Sequence, residues 1–322
     1  MFDVSLLVIM ALDFKDTINF CGVLRLKKII AKAFAKVNPW LDVLGKYRDG
    51  YHELDISYLS VNLADRMTFE TCKSEDIVVS TEADIPAEEN LCREVAGKLK
   101  KECSTDLGAV ITLEKEIPIG GGLGGGSSNA AATLICLNRI WDCKLSRLEL
   151  IDLGEEFGAD VPFFFYGGFC IATGRGTELR KQENVFLDRF IPLILPPFTL
   201  LTREVYGRYD QLNDETENRQ TEIYHGLNPL RNDSTVENDL QEAALDLKPD
   251  LEPYLNLLQR ASTIDASGVA GSGSSIFGIS RMDVSIQEIK EELESELREI
   301  SKEADLIVTR PTNHGQLIRE VE

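Results

Sequence analysis

Pro118-Ile119-Gly120-Gly121-Gly122-Leu123-Gly124-Gly125-Gly126-Ser127-Ser128-Asn129-Ala130-Ala131-Ala132 decides how the rest of the chain is read. Six glycines fill seven positions and two serines follow. A helical run then opens at Ala130 and continues to Trp141, with Leu134, Ile135, Leu137 and Ile140 apolar. Glycine lets backbone N–H groups turn toward a ligand with no Cβ in the way. A helix N-terminus adds unpaired N–H groups and about half a positive charge. Together they make an anion site, and polyphosphate is the anion it suits. A flexible linker is the plain alternative, but this run is wedged between a strand-like segment, Val110 to Leu113, and a helix. The Walker pattern requires Lys-Ser or Lys-Thr after its last glycine, and no lysine follows here. Gly120-x-Gly122-x-x-Gly125 fits the dinucleotide pattern by letter, yet that fold wants its glycines directly after the strand, and Glu114 to Pro118 intervenes.

Composition narrows the function classes. The 322 residues suffice for one large domain or two smaller ones. A net charge of -20 argues against a nucleic-acid or anionic-membrane surface, and obliges any anionic substrate to find a locally basic pocket. The seven cysteines are odd in number and include no C-x-x-C pair. They read as reduced, mostly buried thiols of a cytoplasmic protein rather than a disulfide frame or zinc site. Three histidines argue against a His-rich metal centre. Ser5 to Leu12 is apolar, but it is too short to span a membrane and lacks the basic n-region of a signal peptide.

Other segments are ambiguous taken singly. Ala31 to Leu44 reads as a strand containing Ala35-Lys36-Val37-Asn38, in which Lys36 alone would be an exposed edge residue. Asp49-Gly50 is a turn signal, followed by Tyr51-His52. Val61 to Val79 reads as further strands. Glu89-Asn90-Leu91 starts a helix to about Lys101, and Lys115 by itself is a solvent lysine. Ser146 with Glu149 is a capping box, opening a helix to Phe157 with Gly158 as its stop. Asp160, in Gly158-Ala159-Asp160-Val161-Pro162, is a hydrogen-bonded turn residue on local evidence. The second half shows a strand over Ile191 to Leu195 and a helix opening at Thr202-Arg203-Glu204-Val205-Tyr206. A polar surface loop over 210–235, a helix start at Asn238-Asp239-Leu240 and a second glycine-rich turn at Val269 to Phe277 follow. An amphipathic helix over Glu288 to Glu303, with Ile289, Leu293, Leu297 and Ile300 on one face, precedes a closing strand at Leu306 to Val308.

Taken in order, these segments resemble the GHMP small-molecule kinases over about residues 30–310. Pro-x-Gly-Gly-Gly-Leu-Gly-Gly-Gly-Ser-Ser-Asn-Ala-Ala resembles their ATP loop, Ala35-Lys36-Val37-Asn38 and Gly158-Ala159-Asp160-Val161-Pro162 their active-site segments, and Val269 to Phe277 their third motif. The triple-glycine form and Asp49-Gly50-Tyr51-His52 are most similar to the branch that phosphorylates 4-diphosphocytidyl-2-C-methyl-D-erythritol in non-mevalonate isoprenoid biosynthesis. The resemblance implies an α+β, two-lobed fold: a ribosomal-protein-S5-like lobe over 31–185, a ferredoxin-like lobe over 186–322, and residues 1–30 as an extension. It implies ATP with Mg²⁺; the sequence shows no dedicated carboxylate cage, so most of the metal's ligands are expected to be phosphate oxygens and water. Nucleotide binding falls to Asn90, Lys115, Pro118, Ile119, Gly120, Gly121, Gly122, Leu123, Gly124, Gly125, Gly126, Ser127 and Ser128. Asn38, Tyr51, His52, Tyr58, Thr202 and Tyr206 fall on the substrate side, with Tyr58 helping to sandwich the base. Asp160 is implied as the base that accepts the proton of the attacking 2-hydroxyl, and Lys36 as its charge-stabilising partner. Pro39 departs from the apolar residue usual there. The competing readings are another GHMP kinase of the mevalonate or homoserine type, a non-catalytic nucleotide-binding protein of the same fold, and a nicotinamide dehydrogenase. Nothing in the sequence specifies an oligomeric state.

Overall fold

The computed structural model describes residues 28–72, 74–83, 90–213 and 235–321. Most of the expected N-terminal extension, Glu89, and the bulk of the expected 210–235 loop lie outside these residues. The elements are β1 (Lys28–Val37), β2 (Trp40–Lys46), β3 (His52–Cys72), β4 (Ile77–Thr81), α1 (Leu91–Cys103), β5 (Gly108–Glu114), α2 (Gly125–Ile140), α3 (Arg147–Glu155) and α4 (Val161–Tyr166). Then come β6 (Phe169–Thr173), β7 (Glu178–Gln182), β8 (Ile191–Leu195), α5 (Thr202–Leu212), β9 (Glu237–Asn238), α6 (Gln241–Leu247), α7 (Glu252–Arg260), β10 (Ile264–Val269), β11 (Ile276–Ser280), α8 (Ile286–Ile300), β12 (Asp305–Thr309) and β13 (Gln316–Val321).

Among the described residues the first sheet has nine strands and is organised on β3, whose 21 residues pair with β1, β2, β5 and β6. The single strand expected over Ala31 to Leu44 is two strands. Pro39 has no N–H for a ladder, and the chain breaks there between β1 and β2. The second sheet is antiparallel, in the order β10-β11-β8-β12. Numbering β8, β10, β11 and β12 as one to four, that order is 4-1-3-2 read from the other edge, with helices after the first and third strands: the ferredoxin-like arrangement. Two segments of the second half return to the first sheet. β9 pairs in parallel with β2, and β13 pairs antiparallel with β1. The strand expected to close the fold, near Leu306, is therefore followed by another that ties the C-terminal region to the first sheet.

The capping box expected at the head of α3 is formed, and a second, which the sequence reading did not include, opens α8. Ser146 Oγ accepts from the Glu149 N–H while Glu149 accepts from the Ser146 N–H, and Ser285 with Glu288 does the same at the head of α8. Ile289, Leu293 and Leu297 are the buried stripe of α8.

The cysteines depart from expectation. Cys72, Cys92, Cys136 and Cys170 are buried thiols outside any disulfide. Burial pushes the Cys92 thiol up to about 11 and those of Cys136 and Cys170 to about 12, so they stay protonated and inert. Cys103 and Cys143, however, form a disulfide across a Cα–Cα distance of 5.1 Å. The reason is tertiary. α1 and α2 run side by side with their N-termini at the same cavity, so their C-terminal ends meet, and spacing along the chain does not reveal that. Closing a loop of sequence separation 40 restricts the unfolded chain by about 4 kcal/mol. The expected result of reduction, or of Cys103→Ser, is a loss of about 2–4 kcal/mol in chemical denaturation, with the native activity retained. Superimposable curves with and without reductant would mean the bridge contributes nothing.

Candidate active site

A cavity of about 1130 Å³ lies between the glycine-rich stretch, the β1–β2 and β2–β3 turns, and α5. Its length is set by where helices begin. Asn90 caps α1, its side chain accepting from the Cys92 N–H at 3.0 Å. α2 begins at Gly125, five residues earlier than the alanine run suggests, with Gly124 as its cap. The last glycines are thus the first turn of the helix, and their N–H groups are among the four that an α-helix leaves unpaired. Gly120, Gly122 and Gly124 have φ of 69°, 75° and 72°, which side-chain-bearing residues rarely adopt. A Cβ on Gly122 would collide with the Ala270 carbonyl, because the second glycine-rich turn packs directly on the first. Ser275 N–H donates to the Gly121 carbonyl at 3.1 Å, and Lys36 N–H donates to the Leu123 carbonyl at 3.0 Å. The loop is therefore stitched to β1 on one side and to the second lobe on the other.

Lys36 is 4% exposed. Its Nζ donates to Asn38 Oδ1 at 2.8 Å and lies 3.4 Å from Asp160 Oδ2. Asn38 Nδ2 in turn donates to the Ser57 carbonyl at 2.8 Å, which fixes the amide. The lysine is thus no edge residue but a buried cation at the cavity floor. Asp160 stands just before α4 and makes no capping bond to it, so its carboxylate faces the cavity. Tyr58 O–H donates to Asp160 Oδ1 at 3.0 Å. Burial and the adjoining carboxylate hold the Tyr58 hydroxyl well above its ordinary pKa, so it stays a neutral donor.

This placement of Tyr58 corrects the expectation that its ring helps to sandwich a base. The residue is 1% exposed and stacked on Phe163, with ring centroids 4.8 Å apart. No face is left for a base, and only its hydroxyl serves the site. Ser128 is also corrected. With α2 starting at Gly125, Ser127 faces the cavity while Ser128, one position on, is fully buried. Its Oγ and carbonyl accept from Gln316 Nε2 on β13 at 3.2 and 2.9 Å. The other expected residues of the loop, with Asn90 and Lys115, line the cavity.

Two carboxylates tied to this arrangement are absent from the sequence reading. Asp65 is fully buried on β3. Its Oδ1 accepts from the N–H groups of Glu116 and Ile117, both at 2.8 Å. Its Oδ2 accepts from Lys115 Nζ at 2.5 Å and Asn129 Nδ2 at 2.9 Å. One carboxylate therefore grips both ends of the glycine-rich stretch, and Lys115 is held by it rather than free in solvent. The signal was present in Leu63-x-Asp65-x-Met67-x-Phe69: a charge at the inward phase of an alternating strand. Asp210, on α5, is the second. Its Oδ2 accepts from Lys46 at 2.6 Å and its Oδ1 bonds His52 Nε2 at 2.7 Å. Thr202, Tyr206 and Asp210 are spaced by four and so share one face of α5. His52 stacks on Tyr206, with centroids 4.7 Å apart and planes at 28°. Thr202 bonds Ser272 of the second glycine-rich turn, hydroxyl to hydroxyl, at 2.9 Å. Tyr51 is 59% exposed, and the Arg175 guanidinium, paired with Asp49, lies 4.6 Å from its ring centroid.

Comparison with known proteins agrees with this geometry. Residues 90–168 match the family described as GHMP kinases N terminal domain, and residues 222–299 match GHMP kinases C terminal. The 4-diphosphocytidyl-2-C-methyl-D-erythritol kinase of Prochlorococcus marinus (strain MIT 9215) is 36% identical over 269 residues, 79% of this chain and 86% of that protein. The chain belongs to the 4-diphosphocytidyl-2-C-methyl-D-erythritol kinase family. The Bacillus cereus (strain B4264) member is 34% identical over 260 residues, 80% of this chain and 89% of that one. A crystal structure of 4-(cytidine 5'-diphospho)-2C-methyl-D-erythritol kinase superposes with a TM-score of 0.67 at 27% identity, covering 87% of this chain and 99% of that one. Homoserine kinase from Cytophaga hutchinsonii superposes with a TM-score of 0.70 at 17% identity, covering 91% and 97%, and shares the fold. The two-lobed GHMP kinase fold expected from the sequence is thus the fold of this family. Among the described residues no helix is long and apolar enough to cross a membrane.

Proposed function

We propose that the protein transfers the γ-phosphoryl group of ATP to the 2-hydroxyl of 4-diphosphocytidyl-2-C-methyl-D-erythritol, as a cytoplasmic enzyme of isoprenoid precursor synthesis. The observation that carries the chemistry is the Lys36–Asp160 pair, 3.4 Å apart at the floor of a cavity walled by the glycine loop on one side and Tyr51-His52 on the other. A volume of about 1130 Å³ suits two nucleotide-sized substrates better than one drug-sized ligand, for which about 300–1,000 Å³ is usual.

The loop amides and the head of α2 hold the triphosphate, offering N–H groups and the positive end of a 16-residue helix. The acceptor hydroxyl sits against Asp160, which takes its proton as the oxygen attacks phosphorus. Tyr58 holds one carboxylate oxygen, leaving the other toward Lys36 and the acceptor. Lys36 offsets the negative charge spread over the transferred group. Asn38 keeps the ammonium in place. Among the described residues no three His, Cys, Asp or Glu side chains cluster as a metal cage. A Mg²⁺ ion arriving with ATP would take most of its ligands from phosphate oxygens and water, and would supply further charge neutralisation.

ADP release in Mg²⁺-ATP, compared across the cytidyl substrate, mevalonate and homoserine, tests the reading. Turnover with the cytidyl substrate alone is expected, and turnover with either of the others in its place overturns it. On the recognition side, Tyr51→Ala is expected to raise the KM for the cytidyl substrate by about tenfold while KM for ATP stays put, because base stacking on an aromatic is worth about 1–3 kcal/mol. Equal changes in both constants would remove Tyr51 from the cytidine site.

A further inference from the structure

We propose that Asp210 is the residue that makes this site choose cytosine over uracil, by fixing which nitrogen of His52 carries the proton. The inference rests on the cytidyl-substrate reading above and extends it to a residue outside the family motifs discussed.

Asp210 is a carboxylate with two committed donors. Partial burial pushes its pKa up, but the hydrogen bonds from Lys46 and His52 outweigh that and hold it below the usual carboxylate range. It is therefore ionised at neutral pH and can only accept. His52 Nε2, 2.7 Å from Oδ1, must be the donor. In a neutral imidazole the proton on Nε2 leaves Nδ1 as a lone-pair acceptor. No described residue hydrogen-bonds Nδ1, and the ring lines the cavity beside Tyr51. The ring cannot easily turn to exchange the two nitrogens. One face stacks on Tyr206, and Tyr209 meets it edge-on at 6.2 Å and 85°. Asp210 is itself anchored by Lys46 at 2.6 Å.

A fixed acceptor in a pyrimidine site is a discriminator. The 4-position of cytosine is an amino group, a donor, whereas that of uracil is a carbonyl, an acceptor. An acceptor presented to cytosine gains a hydrogen bond. Presented to uracil, it leaves two lone pairs facing each other, and both groups lose water without compensation. Asp210 lines the cavity, but both of its oxygens are committed to Lys46 and His52. It is a positioning residue, acting through the histidine and tying α5 to the β2–β3 turn.

The test is calorimetric binding of CDP and of UDP at pH 8, with turnover of the cytidyl substrate measured on the same preparations. The wild type is expected to bind CDP at least about tenfold more tightly than UDP, the worth of one hydrogen bond made against one refused. Asp210→Asn, whose amide can donate as well as accept, is expected to bring the two affinities within about threefold. A merely structural role would weaken both nucleotides alike and leave their ratio unchanged. Lys46→Met removes the other partner of Asp210 and is expected to keep the wild-type ratio. Nitrogen-15 spectra of the wild-type imidazole read the tautomer without any substitution, and Nδ1 is expected to be the unprotonated nitrogen. A protonated Nδ1, a wild-type ratio near one, or an Asp210→Asn ratio equal to the wild type's would each overturn the proposal. If CDP is preferred but the cytidyl substrate is not turned over, it is the assigned reaction that fails and not the base selection.

Discussion

Asp160→Asn is expected to lower kcat for phosphoryl transfer by about 10³-fold while both KM values stay within about threefold, the range in which a positioned general base works. Asparagine has the same shape and can still accept from Tyr58, which now donates to Oδ1 at 3.0 Å. What it cannot do is take the hydroxyl proton or carry the charge that Lys36 faces at 3.4 Å. Lys36→Met is the complementary change. The lysine stem runs against Gly124, where a Cβ would come within 2.9 Å of Lys36 Cγ, and methionine keeps that contact. The ammonium is lost, and a fall of about 10²–10³-fold in kcat is expected from removing one charge-stabilising group. The double variant should be little worse than either single one, because groups acting as one unit are not additive in their loss. Near-normal kcat in Asp160→Asn, with the protein folded, would take the carboxylate out of the mechanism.

What the sequence made legible was chiefly what local chemistry dictates. Six glycines in seven positions exclude an ordinary strand or helix interior, and the Ser-x-x-Glu box and the stripe at Ile289, Leu293 and Leu297 are found in place. Position relative to a helix start was harder. Glycine disfavours helix interiors, so the alanine run points to Ala130 as the first helical residue; the first turn tolerates Gly125 and Gly126 because that penalty applies to the interior. That shift of five residues turned Ser128 inward. Tyr58 was misplaced for a different reason. Residues 54–61 of β3 are buried without interruption, since both faces of the strand are covered there, and no alternation tells which way a ring points. Pairing at long range was illegible altogether. Nothing near Gln316 announces that β13 returns to β1, and nothing near Cys103 announces Cys143. Asp65 and Asp210 were legible in principle, one as a charge in the inward phase of a strand, the other as the next member of the face carrying Thr202 and Tyr206.

Asp65→Asn is expected to damage nucleotide binding as severely as any change outside the catalytic pair. The carboxylate serves four donors with no exposure to water. Asparagine can keep the backbone bonds of Glu116 and Ile117 through its oxygen, but its amide nitrogen then faces Lys115 Nζ and Asn129 Nδ2, both donors. Breaking a buried pair in this way costs about 3–5 kcal/mol, because Lys115, whose side chain is only 11% exposed, is left with its charge uncompensated. At about 2–4 °C per kcal/mol for a large domain, Tm should fall by about 10 °C. The loop that Asp65 grips at 116–117 and at 129 is the one proposed to hold the triphosphate, so KM for ATP should rise by about tenfold or more while KM for the cytidyl substrate moves little. Adding Lys115→Met to Asp65→Asn removes the stranded charge. The double variant should regain much of the lost Tm, since residues in contact do not contribute additively, yet ATP binding should stay weak, because the loop is no longer held at either end and Lys115, which lines the cavity, has lost its charge. Loop positioning and fold stability are separable by this comparison: equal increases in both KM values, or recovery of ATP affinity together with Tm in the double variant, would make Asp65 a support of the sheet alone.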